Sequence, residues 1–200
     1  VTRNYKGPVP MKIACRVIRE ALAGLVYFHA KRHVHRDIKP QNILLCQKVR
    51  KGDGLAKLAD FGLSKSLADA SGSTITQAGD VGGSALFMPR EQIKNFRTVD
   101  PRADIYSMGV TLYYLLTGKY PFNFPSHKEF TQAKAEKRPI RSPLLIVLSD
   151  APMPLITQNP DLPYELCQVV DKAIATDKMD RFATAKEFRQ ALKDLERLIL

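Results

Sequence analysis

Residues 35–42 read His35-Arg36-Asp37-Ile38-Lys39-Pro40-Gln41-Asn42. A second short stretch, residues 60–62, reads Asp60-Phe61-Gly62. Together they supply two acids, a lysine and an amide, at positions 37, 60, 39 and 42. Carboxylate and amide oxygens are hard ligands of the kind that Mg²⁺ prefers, and a lysine ammonium offsets phosphate charge. Because phosphoryl transfer needs mainly positioning and charge neutralisation, this pattern predicts a phosphoryl-transfer site.

These two stretches resemble the catalytic loop and the magnesium loop of Hanks-type serine/threonine protein kinases. The resemblance extends from the first predicted helix to the last. The closing pattern, Asp177 to Phe182 followed by a helix from Thr184, is similar to bacterial members of the family. The resemblance implies a mainly α fold with short β hairpins. It also implies that residues 1–200 form one unit, the larger C-terminal lobe of a kinase-like catalytic domain.

The resemblance implies a role for each polar residue of the two motifs. Asp37 is expected to accept the proton of the attacking hydroxyl, while Asn42 and Asp60 are expected to bind Mg²⁺. Lys39 is expected to contact the transferred phosphate of ATP, and a lysine at this place is typical of kinases that act on serine and threonine. Leu44 is expected to line the nucleotide site together with Asn42 and Asp60.

Other motif residues are expected to give structural support. A histidine titrates near neutrality and an aromatic ring can stack on a base, so chemical roles for His35 and Phe61 are conceivable. In the family these side chains instead pack inside the lobe, and we expect the same here. Gly62 gives the backbone freedom for a turn. Asp104 could cap a helix, but the matching family residue braces the catalytic loop, so we expect support and not a second base.

Residues 60–91 are rich in Gly, Ser, Thr and Ala, and they resemble a kinase activation segment. Within this segment we expect phosphorylation at Thr74 or Thr76, with Arg36 pairing with the added phosphate. The alternative is that this hydroxyl density is only what any mobile loop shows.

The end of the same segment departs from the family pattern. Gly83-Ser84 stands where serine/threonine kinases carry a Gly-Thr pair that faces the substrate, and serine can make the same hydrogen bonds. Met88-Pro89-Arg90-Glu91 replaces the family's Ala-Pro-Glu. Glu91 still matches, and the resemblance implies that it pairs with Arg181.

The distribution of apolar and polar residues along the chain predicts the main elements. Helices are expected at 11–32, 104–117, 126–137, 164–175 and 184–200, with the second of these buried on every side. Short strands are expected at 43–46 and 56–59, joined by a turn. The apolar stretch 144–156 is left without an assigned structure, and it could pack over the lobe or form a docking surface.

Composition and charge bear on which partners and which cellular location are expected. The chain carries a net charge of +11, with 44% hydrophobic and 26% charged residues, as in an ordinary folded domain. Thirteen Lys/Arg but only four Asp/Glu lie in residues 1–60, the part that contains the catalytic loop. No nucleic-acid-binding motif accompanies this charge, so specific nucleic-acid binding is not expected. Three separate cysteines and the lack of a membrane segment predict a cytoplasmic location, alone or as part of a larger protein.

Two motifs that hold the ATP phosphates in this kinase family are not found in the sequence. The sequence has no Gly-rich phosphate loop and no strand lysine before Asp37, and Gly79-Asp80-Val81-Gly82-Gly83 lies on the wrong side of the magnesium loop to serve. We therefore expect an ATP-dependent kinase acting on Ser/Thr of protein substrates, with an N-terminal lobe as partner and little activity without it. The rival interpretation is a truncated, non-catalytic kinase-like binding module.

Overall fold

A computed structural model describes residues 7–45, 56–60, 83–96 and 99–199. The longer helices are α1 (Met11–Ala30), α3 (Arg102–Thr117), α4 (His127–Ala135), α7 (Tyr164–Ala173) and α8 (Ala185–Ile199). The shorter ones are α2 (Arg90–Lys94), α5 (Pro143–Ser149) and α6 (Leu155–Gln158), with 3-10 turns at Pro40–Asn42 and Gly83–Phe87. Strands β1 (Ile43–Leu45) and β2 (Ala56–Leu58) form one antiparallel pair. The predicted mainly α fold with a short β pair is thus confirmed.

Helix α3 forms the central pillar of the fold. Nearly all of its side chains are buried, as its apolar sequence predicts. Two buried hydroxyls along it donate to carbonyls one turn earlier, Ser107 to Ala103 at 3.1 Å and Thr111 to Ser107 at 2.8 Å. These bonds satisfy polar groups that would otherwise be costly to bury. Gly118 ends the helix in a left-handed conformation with φ +70°.

Helix α1 lies beside α3 and carries the chain to the catalytic loop, residues 35–42. Its inner face buries Ile18, Leu22 and Leu25 against α8 and β2. An ion pair between Arg19 and Glu196 also joins α1 to α8. The helix ends at Ala30 rather than at 32, since Arg32 turns to φ +61°.

The other predicted elements differ from the structure mainly at their ends. Helix α4 starts after Ser126 because Ser126 is its N-cap and forms a capping box with Glu129. Helices α7 and α8 and both strands are one or two residues shorter than predicted. Helix α3 begins two residues earlier than the predicted start at Asp104. The turn that joins β1 to β2, with Cys46, lies outside the described residues.

The unassigned stretch 144–156 contains most of helix α5 and the start of helix α6. Ser142 accepts a hydrogen bond from the Leu145 amide and Pro143 occupies the first turn of α5, which are ordinary helix-start signals. Ile146 and Val147 are buried in a small cluster with Phe122. Packing therefore accounts for the inner face of α5.

Candidate active site

The acid, lysine and amide of the catalytic loop lie in direct contact. Lys39 Nζ donates to Asp37 Oδ1 at 3.0 Å and to Oδ2 at 2.8 Å. Asn42 Nδ2 donates to the Asp37 carbonyl at 2.7 Å and to Oδ2 at 3.0 Å. The 3-10 turn at Pro40–Asn42 brings Asn42 back to Asp37, while the buried Ile38 anchors the loop in the core. The structure therefore brings these three predicted residues together.

The contacts of Asn42 also fix which way its amide faces. Both of its partners are oxygens that only accept hydrogen bonds, so the NH₂ group must point at Asp37. The amide oxygen is then left on the other side of the group, with its lone pairs free of Asp37. An oxygen is the atom that a hard cation such as Mg²⁺ would use.

Asp60 is placed beside the catalytic loop through its neighbour Ala59. The Ala59 amide donates to the Asn42 carbonyl at 2.8 Å. The Ala59 carbonyl accepts a hydrogen bond from His35 Nε2 at 2.9 Å. Asp60 follows directly, is exposed, and has φ +59°, a conformation that aspartate adopts more readily than most residues. Both ends of the catalytic loop thus hold the backbone at the predicted second acid.

The buried carboxylate of Asp104 supports the backbone of the catalytic loop. Asp104 is fully buried, and its Oδ2 accepts from the His35 amide and its Oδ1 from the Arg36 amide, both at 2.8 Å. His29 Nε2 donates to the same Oδ2 at 2.8 Å. Asp104 lies inside the first turn of α3, where the N-cap is Pro101 and no side chain makes a capping bond. Its contacts hold the backbone of the catalytic loop at His35 and Arg36.

Two residues that support the catalytic loop were not predicted from the sequence. His29 contacts Asp104, and Gln92 donates from Nε2 to the Arg36 carbonyl at 2.7 Å. A polar residue on the inner side of α1 was a usable signal for His29, since only 12% of its side chain is exposed. Nothing in the sequence marked Gln92, because a five-residue helix shows no periodicity.

Ser84 reaches the same cluster from the 3-10 turn at Gly83–Phe87, which we call the Ser84 turn. Lys39 Nζ donates to Ser84 Oγ at 2.5 Å while it also contacts Asp37. One ammonium therefore links the predicted base to the predicted substrate-facing hydroxyl. The Ser84 hydroxyl thus lies within hydrogen-bonding distance of the lysine that contacts Asp37.

The predicted pair between Glu91 and Arg181 is present and bidentate, with Nη1–Oε1 at 2.5 Å and Nη2–Oε2 at 3.2 Å. The remaining guanidinium hydrogens go to the carbonyls of Ala175, Arg102 and Thr176. The guanidinium also stacks on the Tyr106 ring at 4.7 Å, and burial raises the pKa of Tyr106. Because every donor of the buried Arg181 is used, this pair is a firm anchor for α2.

The remaining predicted residues are placed as follows. Leu44 lies on β1 with 56% of its surface exposed, two residues after Asn42. The guanidinium of Arg36 lies over the Phe96 ring at 5.7 Å, and it has no ion pair among the described residues. Phe61, Gly62, Thr74 and Thr76 lie outside the described residues.

The donor set fits a magnesium site of the predicted kind. Within the described ranges no group of three His, Cys, Asp or Glu side chains could hold an ion. A magnesium ion needs no such cage, because it takes one or two protein oxygens and completes its shell with phosphate and water. The exposed Asp60 carboxylate and the Asn42 amide oxygen are donors of this type.

Comparison with known proteins identifies the family. The family model described as the protein kinase domain matches residues 2–193. The chain belongs to the protein kinase domain family. Its similarity to serine/threonine-protein kinase PknB of Mycolicibacterium smegmatis is 34% identity over 186 residues, 93% of this chain and 27% of that protein. Its similarity to PknL of Mycobacterium tuberculosis is 36% over 181 residues, 90% of this chain and 40% of that protein.

A third relative is a probable serine/threonine-protein kinase, CPE1738 of Clostridium perfringens, 34% identical over 193 residues. That match covers 96% of this chain and 24% of the relative. The predicted resemblance to bacterial Hanks-type serine/threonine kinases is therefore confirmed. The chain spans between about a quarter and two fifths of the length of these relatives. Among the helices that the described residues form, we find none with the length and hydropathy to cross a bilayer.

Proposed function

We propose that this chain is the larger, C-terminal lobe of a kinase that transfers the γ-phosphoryl group of ATP to Ser/Thr hydroxyls of proteins. The observation that carries the proposal is the contact cluster of Asp37, Lys39, Asn42 and Ser84. It joins a carboxylate, an ammonium and an amide at one accessible place, the set of groups that phosphoryl transfer requires.

Asp37 is the proposed general base. About 36% of its side chain is exposed, so a substrate hydroxyl can approach it. Asn42 and Lys39 hold the carboxylate from two sides and thereby fix its direction. A base held in this way accepts the hydroxyl proton without first reorienting, which lowers the barrier.

Lys39 is the proposed charge-neutralising group. Its ammonium already contacts both the base and Ser84, so it lies where an acceptor hydroxyl and a transferred phosphoryl group would meet. Asn42 and Asp60 would hold Mg²⁺, which supplies charge neutralisation on the phosphates when bound. Leu44 would lie against the nucleotide. The Arg36 guanidinium is the proposed partner of a phosphate on Thr74 or Thr76.

The other half of the ATP site is assigned to an N-terminal lobe. A Gly-rich loop and a strand lysine cover and hold the nucleotide phosphates in this family, and residues 1–36 contain neither. ATP is a cytoplasmic substrate, so we propose the cytoplasm as the compartment in which this lobe works. The assay below therefore uses the full-length gene product.

The experiment compares wild-type protein with Asp37→Asn and with the control Asp161→Asn, a change of the same size at an exposed site. Transfer of label from γ-labelled ATP to casein and to myelin basic protein is measured, followed by phosphoamino-acid analysis. We expect labelled serine and threonine, unchanged turnover in the control, and a loss of about 10²-fold or more in Asp37→Asn. Nucleotide binding should persist in both variants. Wild-type protein that binds partners without transferring label would support the binding-module alternative instead.

A further inference from the structure

Three consecutive residues of the short helix α2 contact three different parts of the molecule. Arg90 contacts the end of α5, Glu91 contacts Arg181, and Gln92 contacts the Arg36 carbonyl. Successive residues of a helix point about 100° apart, so even a short helix can face three neighbours. Helix α2 is therefore a junction that follows directly after the Ser84 turn.

The Arg90 contact supplies donors that helix α5 lacks. The last carbonyls of a helix have no partner within it. Arg90 Nε donates to the Val147 carbonyl at 2.7 Å, and Arg90 Nη2 donates to the Asp150 carbonyl. A positive guanidinium at this end also suits the partial negative charge of the helix C-terminus. The contact thus joins α2 to α5 through the backbone and is independent of α5 side chains.

Helix α5 in turn supports the turn that carries Ser84. It packs against both the Ser84 turn and α2. Its inner residues Ile146 and Val147 are buried with Phe122, and Ile93 of α2 packs on the same cluster. The position of α5 therefore affects where Ser84 lies relative to Lys39.

We propose that Arg90 is a positioning residue for the protein acceptor. By holding the end of α5 it fixes the Ser84 turn against Lys39 and Asp37, and it occupies the place where the family carries a proline with no side-chain donor. This inference rests on the phosphotransfer activity proposed above. Arg90 acts through Ser84 and touches neither nucleotide nor acceptor.

The test compares Arg90→Met with Arg141→Met in the full-length protein. Arg141 precedes α5 in the chain, and its exposed guanidinium also reaches the end of α5, where it bonds the side chains of Asp150 and Ser149. Both changes remove the same charge and keep a similar stem, but Arg90→Met removes bonds to backbone carbonyls while Arg141→Met removes bonds to side chains. Arg90→Lys is included because one ammonium reaches fewer carbonyls than a guanidinium fork.

The first readout is steady-state kinetics with casein. We expect Arg90→Met to lower kcat/KM for casein about tenfold while KM for ATP stays within about twofold of the wild-type value. Arg90→Lys should fall between the two, and Arg141→Met should match wild type. Equal effects on casein and ATP parameters would show a general structural role and overturn the proposal.

The second readout is amide hydrogen exchange and does not need activity. Exchange of residues 84–88 should become several-fold faster in Arg90→Met, with exchange in α3 unchanged. Unchanged exchange at 84–88 would overturn the coupling of Arg90 to the Ser84 turn. If wild-type protein transfers no phosphate, the proposed function fails, while this readout still decides whether Arg90 holds the turn.

Discussion

Arg36 shows how single residues shape the candidate site. Its backbone has φ +67°, an uncommon conformation for a residue with a side chain, with a cost of about 1–3 kcal/mol. Asp104 accepts a hydrogen bond from its amide, and Gln92 donates one to its carbonyl. Both supporting side chains are fully buried, where such bonds are strong. The peptide groups on both sides of Arg36 are thus held in place just before the proposed base.

The support from Asp104 leads to a prediction for Asp104→Asn. The carboxylate accepts from three N–H groups, and an amide of the same shape must turn its NH₂ toward at least one of them. We expect the free energy of unfolding to fall by about 1–3 kcal/mol, because a buried donor loses its acceptor. Phosphotransfer should fall as well. Guanidinium denaturation and the labelled-ATP assay measure the two effects.

Asp161→Asn is the matched control for this change, because Asp161 is exposed. It should leave the denaturation midpoint within experimental error of wild type. If Asp104→Asn were as stable and as active as this control, the buried carboxylate would not be the support of the catalytic loop.

At the scale of elements, α3 and α7 approach closely at Gly109. A Cβ placed on Gly109 would lie 2.8 Å from Ala173 Cβ and 2.8 Å from Ile174 Cγ2. Real Cβ contacts do not reach this distance, so the two helices pack this closely only because residue 109 has no side chain. The crossing fixes α3, which carries Asp104 five residues before Gly109.

Two glycine substitutions test this crossing. Gly109→Ala should destabilise the protein by about 1–3 kcal/mol, since overpacking outweighs the gain in helix propensity. Gly24→Ala in α1 is the matched change, because its Cβ would meet only Leu58 Cβ at an ordinary 3.8 Å. That variant should be more stable by about 0.5–1 kcal/mol. Thermal denaturation measures the change in Tm of each variant relative to wild type. Equal shifts in Tm for the two variants would contradict the packing argument.

Element prediction succeeded where the apolar pattern was long. Helices α1, α7 and α8 repeat apolar positions at helical spacing over ten residues or more, while α3 is apolar nearly all round, and their existence followed from these patterns. Helices α2 and α6 have five and four residues, too few for a period to appear. Helix α5 was hidden because its residues are apolar on both faces, leaving Leu145 exposed at 55%.

Asp171 makes one contribution to the pH dependence of the whole molecule's stability. Its Oδ1 accepts from the Leu155 amide at 2.9 Å and so joins α7 to the start of α6. Burial raises the pKa of Asp171 above its ordinary value of 3.8, although the Leu155 hydrogen bond opposes this. The folded protein therefore holds this proton more tightly than the unfolded chain does. Stability from this group is full below pH 3.8 and declines as pH rises through the folded-state pKa.

Asp171→Asn removes this dependence while its amide oxygen can still accept from Leu155. We expect the variant to gain stability relative to wild type as pH increases from about 4 to 7, because only the wild type then buries an ionised carboxylate. Urea denaturation at several pH values measures the difference. Asp161→Asn provides the exposed control, and a difference between Asp171→Asn and wild type that stays constant with pH would contradict the prediction.

The family, the long helices and the identity of the acid, lysine and amide in the catalytic loop could be predicted from the amino-acid sequence. These depend on local spacing, which is written along the chain: Asp37, Lys39 and Asn42 lie within six positions. The distant residues that hold these three side chains in place became visible in the folded molecule. Asp104 reaches His29, His35 and Arg36, and Arg90 reaches the carbonyls of residues 147 and 150. Such contacts follow from how helices pack, and packing depends on the shapes of many side chains together, which no local pattern records.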